Sequence, residues 1–180
     1  MCWESLPPGL THRQVADAYT ELCCRWGAET LCTFDTGRIA RLDELGRAIA
    51  DAADGSIGTV FAGWRAQPRP DDVNARAALT MHVLRELRGG AHIAAVAACG
   101  ITPLHAVLAS PAAPPRSGPA WAEHLGWTAP FEDAEWARNP RLEAERLTSR
   151  IITPAYSAIG DAALEEFAEL VEATRNAIDI

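Results

Sequence analysis

The stretch DDVNARAALTMHVLRELRGGAHIAAVAACGITPLHAVLAS, residues 71–110, reads as helix, glycine turn, helix, glycine turn, helix. Asp71 or Asp72 is placed to cap a first helix running through Arg88, with Val73, Ala77, Met81, Leu84 and Arg88 as its inward stripe. Gly89-Gly90 is expected to break it, Ala91 to Cys99 to form a short apolar helix, and Gly100 to end that one. Thr102-Pro103 then opens a third helix through Ser110, with Thr as cap and Pro at the first helical position, where its missing N–H is harmless. This is the punctuation of a helix-turn-helix, and also of any tight helical bundle.

Helical periodicity continues on both sides. Thr11 and Gln14 fit a capping box, after which Val15, Ala18, Tyr19 and Leu22 mark one face and Gly27 is placed as the stop. A second helix fits Ile39 to Ala53, with Ile39, Leu42, Leu45 and Ile49 inward. Ser56 to Pro70, rich in Gly and Pro, reads as an ordered loop containing one helical turn. Pro111 to Pro119 is a mobile connector, followed by Trp121, Trp127, Phe131 and Trp136 as an aromatic lid or clasp. A helix from Pro140 to Ile152, a restart at Thr153-Pro154 and a helix over 161–178, with Leu164, Phe167, Leu170, Val171 and Thr174 inward, complete the chain. The expected fold is all-α: a single domain over 1–180, with N-terminal helices in 1–55, a helix-turn-helix-like central trihelical unit in 71–110, and a C-terminal clasp and helices in 119–180.

Composition narrows the setting. With 180 residues and 48% hydrophobic content the chain can bury a real core. No apolar run approaches a membrane span, and Met1 to Pro8 lacks the basic and apolar order of a secretory leader, so a cytoplasmic protein with no membrane partner is expected. Five cysteines, Cys2, Cys23, Cys24, Cys32 and Cys99, lack the spacing of a disulfide framework and read as reduced thiols. All 16 basic residues are arginine, which with the alanine excess points to a GC-rich genome. Against 24 acidic residues they leave a net charge of -8, which argues against nucleic acid as a partner, because phosphate neutralisation supplies most of such affinity.

The segment Arg85-Glu86-Leu87-Arg88-Gly89-Gly90-Ala91-His92, with the apolar run after it, resembles the Arg-Glu-His-Arg-Gly-x-x-His signature of an actinobacterial all-helical family. Its members are commonly labelled helix-turn-helix domain proteins, and the family has no assigned activity. Leu125-Gly126-Trp127, Ala144 to Thr148 and Pro154-Ala155-Tyr156 are similar to its C-terminal part, so the resemblance runs from about Leu45 onward. Leu87 stands where relatives carry His, and the segment before the motif is shorter than theirs. The resemblance implies an all-α fold and a shared feature around His92, and it implies no reaction.

Among chemistry-bearing groups, His82 and Glu86 share a helix face, and His92 follows the glycine pair. A metal held by these three is weighed below the plainer reading, in which Glu86 pairs with an arginine and His82 is half-buried; no metal site is assigned. Adjacent Cys23 and Cys24 diverge by about 100° on a helix and chelate zinc poorly, and Cys99 in an apolar helix lacks an activating base. His92, at an expected helix start beside Gly89-Gly90, is the best proton-transfer group, with Glu86 beside it. Arg88 is placed to hold an anionic group, His82 and His105 to line the same cavity, and Trp64 to supply an aromatic wall. No Gly-rich phosphate loop, Ser-His-Asp pattern or carboxylate pair stands out, and the cofactor stays unknown.

Two function classes follow. The first is a small-molecule-binding helical protein, extending to an enzyme of actinobacterial specialised metabolism with a His-centred acid/base site, whose partner is a ligand or substrate. The second is a helix-turn-helix transcriptional regulator, although Thr102 to Ser110 offers no Arg, Asn or Gln to read base edges. A homodimer is compatible with either.

Overall fold

The computed structural model describes residues 9–112 and 116–178. The leader reading of Met1 to Pro8, Cys2 and the centre of the 111–119 connector lie outside the described residues. The fold is all-α, and among the described residues there is no strand. The helices are α1 (His12–Thr30), α2 (Thr36–Ala52), α3 (Thr59–Arg65), α4 (Val73–Ala98), α5 (Pro103–Leu108), α6 (Gly118–His124), α7 (Arg138–Ser157) and α8 (Asp161–Ile178). Short 3-10 turns at Gly55–Ile57 and Glu135–Ala137 complete them. No helix among the described residues is long and apolar enough to cross a membrane.

Two compact units form. One is Ala91–Ile151; the other joins the described residues up to Gly90 with those from Ile152 onward. Helices α4 and α7 contribute to both. In the discontinuous unit, Leu42, Leu45 and Ile49 of α2 meet Phe61 of α3, Val83, Leu84 and Leu87 of α4, and Phe167 and Leu170 of α8. All four predicted inward residues of α2 are buried, and Asp35 caps the helix by accepting from the Arg38 N–H at 2.8 Å. In the 91–151 unit, Ala95, Val96, Ile101, Ala106, Ala109, Ala137 and Ala144 form a core of small side chains.

Where the structure departs from the sequence reading, close packing is the usual cause. Gly89-Gly90 does not break a helix, because α4 runs unbroken through both. A Cβ at Gly90 would sit 3.2 Å from the Ile57 carbonyl oxygen and 3.3 Å from the Gly58 Cα, so glycine there permits backbone approach. Gly27 likewise lies inside α1, where a Cβ would meet the Ala78 Cβ at 2.4 Å. The predicted face is only partly covered: Val15 is half-buried and Leu22 is exposed, while Tyr19, 45% exposed, packs one side of its ring and Gly27 is buried. Pro154 lies inside α7 and starts no new helix; near the helix end it forfeits a single amide donor. The 56–70 loop contains a full α3 besides a 3-10 turn, and Arg65 of α3 donates to the Ala50 and Ala53 carbonyls at the end of α2. Arg88, proposed as part of an inward stripe, is exposed.

Two expected caps are present. Thr11 and Gln14 make a reciprocal capping box, and Asp72 caps α4 by accepting from the Ala75 N–H at 2.8 Å.

Candidate functional site

The junction from α4 to α5 is built locally by sequence. Gly100, at a φ of 72°, takes the left-handed conformation, and its N–H donates to the Ala97 carbonyl while the Ile101 N–H donates to that of Val96. This is a Schellman stop, closed by apolar contact of Ile101 with the helix it ends. Thr102 caps α5, accepting from the His105 N–H at 3.2 Å, and Pro103 opens the helix. A helix, a glycine-containing turn and a second helix therefore occupy Ala91 to Leu108.

An open cleft of about 350 Å³ lies beside α5 within the 91–151 unit. Its wall includes His92, Val107, Arg116, Trp121, Trp127 and Arg141. His92 Nδ1 is 3.0 Å from the Thr148 Oγ1, and the buried Thr148 hydroxyl donates its one proton to the Ala144 carbonyl at 2.7 Å. Thr148 then accepts from His92, which puts the imidazole proton on Nδ1. Arg141 is largely buried, donating through Nε to the Ala106 carbonyl at 2.8 Å and pairing through Nη1 with Glu145 at 3.1 Å. Trp121 stacks on His124 with ring centres 4.6 Å apart.

Of the six residues proposed from sequence, His92 alone lines this cleft. His105 caps α5 and meets Trp136 edge-on at 4.9 Å. His82 and Trp64 are brought together, edge-to-face at 4.7 Å, with Tyr19 at 5.1 Å from both rings. His82 Nε2 is buried with no hydrogen-bond partner among the described residues, and desolvation pushes the imidazole below its ordinary value. Glu86 pairs with its neighbour Arg85. Arg88 is exposed and stands near the half-buried Tyr156. The helix N-terminus expected near Ala91 does not exist, since α4 is continuous there, so no free amide donors flank His92.

Among the described residues, no three His, Cys, Asp or Glu side chains gather into a metal-sized group. Burial pushes up the thiols of Cys23 and Cys24, which disfavours their reactive anions. Sequence reasoning missed Arg116, Arg141 and the joint placement of Trp121 and Trp127. The sequence groups the tryptophans only by proximity along the chain, and the arginines carry no motif.

The fold and the α4–turn–α5 junction define an all-helical protein with a helix-turn-helix arrangement. Residues 2–179 match a family described as a helix-turn-helix family, and the chain belongs to it. No curated protein and no solved structure matches. Membership corrects one expectation: a helix-turn-helix unit is a means of gripping nucleic acid, so nucleic acid is not excluded as a partner. Net charge misled because it averages the whole chain. Residues 91–151 hold five arginines and six carboxylates, against eleven and eighteen elsewhere.

Proposed function

We propose that the chain is a DNA-binding regulator that presents α5 to the duplex. The observation that carries this reading is family membership across 2–179, and the Schellman-stopped turn between α4 and a capped α5 supports it. Arg116 lines a cleft with Val107 and Ser110, and Arg138 lines another with Leu108 and Ala109. The pair of Arg138 with Glu135, both largely exposed, is cheap to exchange for a phosphate contact. In its first turn α5 has few polar side chains, and Thr102 and His105 bond each other's backbone. Backbone contacts and DNA shape therefore supply most of the recognition, with little direct reading of bases.

The test is selection of duplexes from a genomic fragment library by the full chain, followed by anisotropy titration of the enriched sequence across salt concentrations. Enrichment of a defined site is expected, with affinity falling steeply as salt rises. Arg138→Gln should lower the slope of log affinity against log salt by about one. Failure to enrich any sequence over bulk, with no salt-dependent retention, overturns the reading.

A further inference from the structure

We infer that the cleft beside α5 is a binding site for a planar aromatic carboxylate. The inference does not rest on the regulator reading, because the cleft is formed by residues of the 91–151 unit alone and its occupancy can be read without nucleic acid. Its size falls within the range of small-molecule sites, roughly 300–1,000 Å³.

The chemistry of the walls selects the ligand. Trp121 and Trp127 both line the cleft, and the Trp121 ring is stacked with that of His124, 18° from parallel. A rigid indole face of this kind rewards a flat ring and loses little entropy in doing so. Val96 and Val107 add apolar surface that favours an unsubstituted ring edge. Polar recognition comes from two guanidinium groups, Arg116 and Arg141, on the same cleft. The bonds of Arg141 to Ala106 through Nε and to Glu145 through Nη1 fix its plane before any ligand arrives, so Arg141 meets a ligand carboxylate through Nη2 and the Arg116 guanidinium supplies the second donor. Glu145 already balances one of the two positive charges, so the excess suits a monoanion better than a phosphate dianion. His92, oriented by Thr148, contributes a polar edge to the wall.

Naphthalene-2-carboxylate is a suitable probe, titrated into the full chain by calorimetry, with naphthalene-2-carboxamide as the uncharged isostere. Saturable one-to-one binding of the acid is expected, weakened about tenfold or more in the amide, as loss of a charged hydrogen bond implies. Arg116→Gln should weaken the acid by a similar factor and leave the amide unchanged. Trp127→Leu should weaken both probes, whereas Trp26→Leu, on the exposed face of α1, should alter neither. Arg116 is exposed, so its replacement is not expected to unfold the protein, and a matching thermal melt checks this. Absence of saturable binding at millimolar probe, equal affinity for acid and amide, or indifference to both Arg116→Gln and Trp127→Leu overturns the inference.

Discussion

His82 occupies an aromatic corner with Trp64 and Tyr19, and burial there penalises its charged form. Its folded-state value lies below the unfolded value of about 6.5, so the unfolded chain binds more protons on acidification. Stability contributed by neutral His82 is therefore intact above about pH 6.5 and is lost as the pH falls from there through the depressed folded value. Urea unfolding at several pH values should show a decline below that point which is shallower in His82→Phe; parallel profiles for the two proteins would contradict it. At this scale the sequence was only partly legible. It marked His82, Glu86 and His92 as polar groups near one another along the chain. The cleft instead assembles His92 with Trp121 and Arg141, partners that are distant in sequence and visible only once α5, α6 and α7 have packed.

The helices themselves were largely legible, because Thr11, Asp72 and Thr102 are caps whose chemistry is local, and the stripes of α2 and α8 repeat at the helical period. Glycine was the systematic error. A stop such as Gly100 and a close approach such as Gly27 are the same letter, and only the neighbouring helix distinguishes them. Substitution by alanine separates the two uses. Gly27→Ala would drive a Cβ to 2.4 Å from the Ala78 Cβ and 2.8 Å from the Asn74 carbonyl oxygen, and should destabilise by roughly 1–3 kcal/mol. Gly89→Ala, inside α4 with only the Glu86 carboxylate 3.9 Å away, should stabilise by up to about 1 kcal/mol. Thermal melts of both variants check this, and a destabilised Gly89→Ala would mean that position 89 is also a packing site.

Across the larger unit, one buried carboxylate organises several elements. Asp43 of α2, 1% exposed, accepts from the Thr80 hydroxyl at 2.6 Å and from Arg76 Nε at 2.8 Å, while Arg69 donates to the same Thr80 oxygen at 2.7 Å. Asp43→Asn removes the charge that these guanidinium groups answer and should cost roughly 3 kcal/mol in urea unfolding. The exposed pair Arg13 and Asp17 offers the contrast, since Asp17→Asn should change stability little. A small effect at Asp43 would show that solvent already screens the cluster. The same unit is assembled from two separated stretches of chain, with α2 packed on α8 and Arg41 of α2 bound to Glu166 by 2.8 Å and 3.0 Å hydrogen bonds. On the ribosome this arrangement imposes an order of events. At roughly 5–20 residues per second, residues 91–160 take several seconds to emerge after α4 has begun and before α8 exists. Throughout that interval the side of α2 that α8 will cover has no native partner, so the nascent chain carries an open apolar seam for chaperones to shield until α8 leaves the exit tunnel.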